Sequence, residues 1–360
     1  MRVLIAPDKF AGTLTAVQAA EAVATGWRRH APDDELDLAP MADGGPGFVD
    51  VLHAALGGSL DAVTVAGPHG DPVPAVVLRV GTTAYVESAQ AAGLHLVSGP
   101  VATASSAGVG ELVLAAVAGG ATTVVVGLGG TGTNDGGAGV LAALGAQADG
   151  VLDGGAAPLG AVTTVDLSAA RSRLDGVTLV AASDVDNPLT GLFGATKTFG
   201  PQKGVAEDRI AEVDGWLEAF AAATDRRTSL EKGAGAAGGI GYALLVLGAS
   251  REPGIELVAS AVSLADRARA SDLVVTGEGS FDFSSRAGKV PYGVAAVASE
   301  ALRPCIALAG QVLVGSREMR ALGIESAYSL VDLVGEERAF SAPADALADL
   351  AARVARTWSR

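Results

Sequence analysis

The stretch VVVGLGGTGTNDGGAG, Val124 to Gly139, runs a β-branched strand into a polar loop carrying seven glycines. Within it Gly127-Leu128-Gly129-Gly130-Thr131-Gly132 fits G-x-G-x-x-G, the pattern of a dinucleotide-binding turn. That pattern needs a strand, a tight turn, a helix whose N-terminus faces the pyrophosphate, and an acidic residue about 20 positions on. The strand Thr122 to Gly127 is present, but the turn continues through Thr133-Asn134-Asp135-Gly136-Gly137, so a helix can begin only near Ala138. The acids near the required offset, Asp149 and Asp153, sit among Gly, Asp and Pro rather than at the end of a second strand. The loop therefore reads as an anion cradle of another kind. Gly129, Gly130, Thr131, Thr133, Asn134 and Asp135 offer backbone N–H groups, hydroxyls, an amide and a carboxylate, which suit phosphate oxygens and Mg²⁺-bound water.

Outward from this loop, the chain opens as a βα unit. A strand from Val3 to Ala6 leads through a polar loop into a helix from Thr15 to His30, with Thr15-x-x-Gln18 as a capping box. Near the other end, LVVTGEGSFD (Leu273 to Asp282) and PCIALAG (Pro304 to Gly310) are β-rich runs separated by a helical stretch, Tyr292 to Ala301. This is the rhythm of a parallel sheet. Between them the texture changes to alternating strands (Ala62 to Val65, Val73 to Val80, Thr83 to Glu87) with GPHGDP as a turn. The expectation is an α/β protein of two domains. One is a Rossmann-like parallel-sheet domain built from both chain ends, 1–60 and 255–360; the other is an α/β domain inserted at 61–254.

Composition narrows the function. Hydrophobic residues make up 49% and charged residues 18% of 360, the balance of a globular α/β chain rather than a disordered one. A net charge of −15 excludes nucleic-acid and anionic-membrane surfaces, which need clustered Lys and Arg. Cys305 is the single cysteine and lies in an apolar run, so it reads as a buried strand residue, with no intramolecular disulfide. The opening RVLIAPD is too short and wrongly flanked for a signal peptide, which points to a cytoplasmic protein. His30, His53, His69 and His95 show no ligand spacing. The oligomeric state is left open, a homo-oligomer included.

Five segments concentrate Gly with charge, each near a strand end: APDKFAG (6–12), MADGGPG (41–47), GLGGTGTNDGG (127–137), ASDVDNPLTGLFGATKTFGPQKG (182–204) and TGEGSFDFSSRAGK (276–289). In this order, and with FGPQKG and TNDGG as the most specific pieces, the chain resembles the bacterial glycerate kinases of glucarate and glyoxylate catabolism over almost its whole length. The resemblance implies two α/β domains with the active site in the cleft between them, and ATP-dependent phosphorylation of D-glycerate, usually at the 2-hydroxyl. Four places depart from the family's usual pattern. Lys9 stands where Ser is usual and Ala11 where Lys is, Pro46 replaces Glu, Thr131-Gly132 replaces Ser-Ala, and Ser280 replaces a frequent Arg.

The residues supply what phosphoryl transfer needs: cations for the moving phosphate, carboxylates for Mg²⁺, and an acid to orient the hydroxyl. No Walker loop and no protein-kinase motif set is present. Lys203 and Lys289 are held in glycine turns and are the candidate catalytic cations. Asp184, at the end of the strand VTLVAAS and before Asp186-Asn187-Pro188, is the candidate for orienting the acceptor, with Asp282 as the alternative. Asp43 and Glu278 are the candidate Mg²⁺ ligands, and Asp8, Lys9, Asp43, Gly44 and Gly45 the candidate hydroxy-acid site, Lys9 holding the substrate carboxylate. The competing readings are a kinase of another small hydroxy acid on the same scaffold, an NAD-dependent oxidoreductase using Gly127 to Gly132, and a non-catalytic binder of small carboxylates.

Overall fold

The computed structural model describes residues 1–10, 12–282 and 289–359. Ala11 and Gly288, both drawn on above, lie outside that set. The chain divides into two compact units, Met1–Asp43 with Asp50–Leu56 and Ile255–Arg360, and Gly44–Val49 with Gly57–Gly254. The strands in chain order are β1 (Arg2–Ile5), β2 (Glu35–Leu38), β3 (Ser59–Ala66), β4 (Pro72–Val80), β5 (Thr83–Glu87), β6 (Thr123–Gly127), β7 (Gln147–Ala148) and β8 (Val165–Asp166). They continue as β9 (Thr178–Ala182), β10 (Ser250–Glu252), β11 (Leu273–Thr276), β12 (Ser280–Phe281), β13 (Cys305–Ala309), β14 (Gln311–Val312) and β15 (Ser326–Ser329).

The first unit is a wholly parallel sheet in the order β15-β13-β11-β1-β2. Its central strands read as apolar runs because both faces are covered. Val3, Ile5, Leu273, Val275, Ile306 and Leu308 form one core with the helix Ala16–His30 (α1) and the helix Pro343–Trp358. Burying side chains of this size contributes about 1.5–3 kcal/mol each. The capping box at Thr15 is complete: its side chain accepts from Gln18 N and its own N–H donates to Gln18. Gly26 lets α1 cross the terminal helix at backbone contact, since a Cβ there would lie 1.9 Å from the Ala348 carbonyl oxygen.

The second unit carries a six-stranded mixed sheet, β10-β9-β6-β5-β4-β3, parallel from β10 to β5 and antiparallel through β4 and β3. The alternating strands expected before residue 101 are this antiparallel edge. The helix Ala107–Ala118 and the helix Ala138–Ala143 pack on the sheet beside Val124, Val126 and Leu179. Cys305 is buried in β13, its thiol pushed up to about 12 by burial, as a structural cysteine is. No helix among the described residues is long and apolar enough to cross a membrane.

Candidate active site

In the first unit, loops from the carboxyl ends of all five strands of the parallel sheet meet around a cavity of about 410 Å³, the position where open α/β sheets bind ligands. Asp8, Lys9 and Phe10 follow β1, Asp43 follows β2, Glu278 follows β11, Gln311 follows β13, and Leu330 follows β15; Lys289 completes the charged side. Backbone bonds fix the entry loops: Ala6 N donates to Val275 O at 2.7 Å, Asp8 N to Gly277 O at 2.8 Å, and Met41 N to Pro7 O at 2.9 Å. The Gly-Glu-Gly turn at 277–279 is a packing requirement. A Cβ on Gly277 would lie 2.1 Å from Leu308 O, and one on Gly310 would lie 2.3 Å from Gly279 O.

The charges alternate. Lys9 Nζ lies 3.5 Å from Asp8 Oδ1 and 3.7 Å from Asp43 Oδ1, while Lys289 Nζ lies 3.7 Å from Glu278 Oε2 and 3.8 Å from Asp282 Oδ1. Asp8 is buried, and burial raises its carboxyl to about 6; Asp43 adds to the rise while Lys9 opposes it. Among the described residues four carboxylates lie beside these two ammonium groups. Among the described residues no three His, Cys, Asp or Glu form a ready metal cage.

In the second unit the glycine loop is shaped by packing. A Cβ on Gly127 would lie 2.6 Å from Gly44 O, one on Gly129 would lie 2.7 Å from Gly45 Cα, and one on Gly130 would lie 2.5 Å from Pro46 Cγ. The segment 44–46 therefore lies directly on this loop, and the glycines at 129 and 130 are there to admit it. Changing Gly129 to Ala should cost roughly 1–3 kcal/mol of stability and at least tenfold in kcat/KM, because the clashing neighbour is backbone and cannot rotate away. Thermal scans and kinetics at the parental level would refute this. Glu87, at the end of β5, holds the same segment by accepting from Gly47 N at 3.0 Å and Val49 N at 3.4 Å. A buried carboxylate thus faces the start of the helix Phe48–Leu56, where Pro46 supplies none.

Lys203, a candidate catalytic cation, is buried rather than solvated. Its Nζ donates to Thr133 O at 2.7 Å and to Thr131 Oγ1 at 3.3 Å, so it acts as a strut inside the glycine loop. Burial lowers its pKa to about 8, against the attraction of Asp135. Asp135 is likewise turned inward: it accepts from Ser106 N and Oγ at 2.8 Å, Gly139 N at 3.2 Å and Gly137 N at 3.0 Å. Those bonds tie the glycine loop to Ser106 and to the start of the helix Ala138–Ala143. Asn134 Nδ2 donates to Thr196 Oγ1 at 2.9 Å, while Asn134 Oδ1, Thr133 Oγ1 and Ser88 Oγ are buried and have no hydrogen-bond partner among the described residues.

Asp184 is half-buried one residue beyond Ser183 at the end of β9, near where Gly44 meets Ala182 O. The neighbouring polar residues are structural: Asp186 pairs with Lys232 at 2.8 Å and Arg251 at 2.7 Å, and Asn187 Nδ2 donates to Phe193 O at 2.7 Å. The expected MADGG motif is split: Asp43 belongs to the first unit's cavity, Gly44 and Gly45 to the second unit's loop.

Residues 3–359 match the family model described as the glycerate kinase family. The chain belongs to the glycerate kinase family. It is a kinase, 39% identical to glycerate 2-kinase of Escherichia coli K12, with 99% of this chain and 98% of that protein covered. It is 40% identical to glycerate kinase of Bacillus subtilis 168, covering 92% and 90%. A crystal structure ascribed to a glycerate kinase 2 of Salmonella typhimurium LT2 superposes with a TM-score of 0.81 at 35% identity, covering 99% of the kinase and 98% of that chain. The oxidoreductase and non-catalytic readings are set aside by these findings. Glu87, Ser106, Phe10 and Phe340 escaped the sequence reading. Only Glu87 carried a signal, as an acid closing a strand immediately before a helical run.

Proposed function

We propose that this kinase transfers the γ-phosphoryl group of ATP to the 2-hydroxyl of D-glycerate, giving 2-phosphoglycerate and ADP. The observation that carries the reading is the first unit's cavity, where two lysines and four carboxylates converge from separate strand ends. Phosphoryl transfer proceeds through a loose transition state and asks the protein mainly for positioning and charge. The 2-hydroxyl oxygen forms a bond to the γ-phosphorus as the bond from that phosphorus to the β,γ-bridging oxygen breaks. Its proton passes to a carboxylate, for which Asp184 is the first candidate and Asp282 the second.

Asp43 and Glu278 would hold Mg²⁺, with Asp8 adjoining, the carboxylate oxygens being the hard ligands that cation takes. When bound, Mg²⁺ neutralises charge on the phosphate oxygens. Lys9 and Lys289 supply the remaining positive charge. The glycine loop supplies a rigid frame for Gly44, Gly45 and Thr131, with Lys203 and Asp135 as its internal supports. The name of the Escherichia coli relative favours the 2-hydroxyl. A coupled assay of ADP release across a panel of small hydroxy acids tests the reading: D-glycerate should give the highest kcat/KM, and faster turnover of another hydroxy acid would displace it.

A further inference from the structure

The cavity of the first unit has two unlike ends. One carries Lys9, Lys289 and their carboxylates; the other is apolar, walled by Phe10, Leu330, Val331, Ala339 and Phe340. Phe340 leaves 57% of its surface in solvent at this wall, and with Phe10, Leu330, Val331 and Ala339 beside it the exposed ring continues an apolar surface into the cavity. D-glycerate cannot use such a wall. All seven of its heavy atoms are oxygen or carbon bonded to oxygen. The ligand that fits both ends is flat and apolar at one side and anionic, with a divalent cation, at the other.

Resting on the kinase reading above, we propose that this cavity seats the Mg²⁺-bound purine nucleotide, with the base against Phe340, Leu330 and Val331 and the phosphates toward Lys9 and Lys289. The assignment gives Lys9 a different anion from the substrate carboxylate that its loop suggests. It also moves nucleotide recognition away from the glycine loop, where Gly127, Gly129 and Gly130 face the segment 44–46. The base is held by stacking and apolar contact, so the seat selects for ring area more than for hydrogen-bonding pattern.

Titration calorimetry with MgADP tests the seat without any need for turnover. Phe340→Ala should weaken MgADP binding about 5- to 100-fold, the range that loss of one base-stacking partner produces. Phe340→Tyr should restore it, and the KM for D-glycerate should stay within twofold in both. Phe340→Trp should show fluorescence that responds to MgADP and not to D-glycerate. MgADP affinity in Phe340→Ala within twofold of the parent, or a tryptophan signal that follows D-glycerate instead, would overturn the proposal. Either result beside normal parental turnover removes only the seat, whereas a parent protein that fails to turn over D-glycerate removes the kinase reading while calorimetry still decides the seat.

Discussion

Asp8→Asn is expected to make the kinase more stable at pH 8 and nearly inactive. Asp8 is buried and its carboxyl is raised to about 6, chiefly by burial. A carboxyl whose folded-state pKa lies above its unfolded value binds its proton more tightly when folded. Its contribution is therefore complete below about pH 4, and is lost as the pH rises through 6. Above that the folded protein carries a buried charge only partly compensated by Lys9 at 3.5 Å. Asparagine removes the charge and can still accept the bond that Lys9 N donates to Asp8 Oδ1 at 2.7 Å. The expected gain at pH 8 is about 1–3 kcal/mol, seen as a thermal midpoint a few degrees higher, and it should vanish near pH 4. The same substitution removes anionic charge beside the candidate Mg²⁺ ligands, so kcat should fall at least 100-fold. Thermal scans at pH 4 and pH 8 with kinetics at pH 8 check both halves. A lower midpoint at pH 8 would show that Asp8 is a supporting ion-pair partner instead.

Lys203→Met should lower kcat by 100-fold or more while leaving the thermal midpoint at pH 7 within a few degrees of the parent. Methionine fills similar space, but it cannot donate to Thr133 O or Thr131 Oγ1, so the loop loses its internal strut. Gly238, whose Cβ position would lie 2.8 Å from Nζ, leaves no room for a bulkier replacement. The pH dependence distinguishes this role from that of a surface lysine. The folded-state pKa, about 8, lies below the ordinary 10.5, so the folded form disfavours the proton. That penalty is complete below about pH 8 and is relieved as the pH rises toward 10.5. Relative to Lys203→Met, the parent should therefore gain stability between pH 8 and pH 10, by an amount on the order of 1–3 kcal/mol. Parallel stability curves, or kinetics within a factor of two of the parent, would return Lys203 to a minor role.

The sheet interiors were legible in the sequence because β1, β6, β11 and β13 are apolar on both faces, and burial leaves a chain little choice there. The edge strands were not. β2 reads Glu-Leu-Asp-Leu and β15 reads Ser-Ala-Tyr-Ser, patterns that become strands only because β1 and β13 offer them a partner. The site shows the same division. Its charged residues stand out because they follow apolar strands, yet Leu330, Val331, Ala339 and Phe340 look like ordinary helix residues and become a cavity wall only through tertiary placement. The glycine loop was legible as a motif, and its packing was not. Spacing alone does not tell a glycine that admits a phosphate from one that admits another backbone, and here Gly44, Gly45 and Pro46 fill the space.

Phosphorus NMR of a reaction mixture holding the kinase, ATP, Mg²⁺ and D-glycerate decides whether phosphate is transferred to the 2-hydroxyl of D-glycerate. The resonances of ADP and 2-phosphoglycerate should grow in equal amounts. A 3-phosphoglycerate resonance would contradict the regiochemistry, and no phosphorylated glycerate beside active phosphorylation of another hydroxy acid would contradict the substrate.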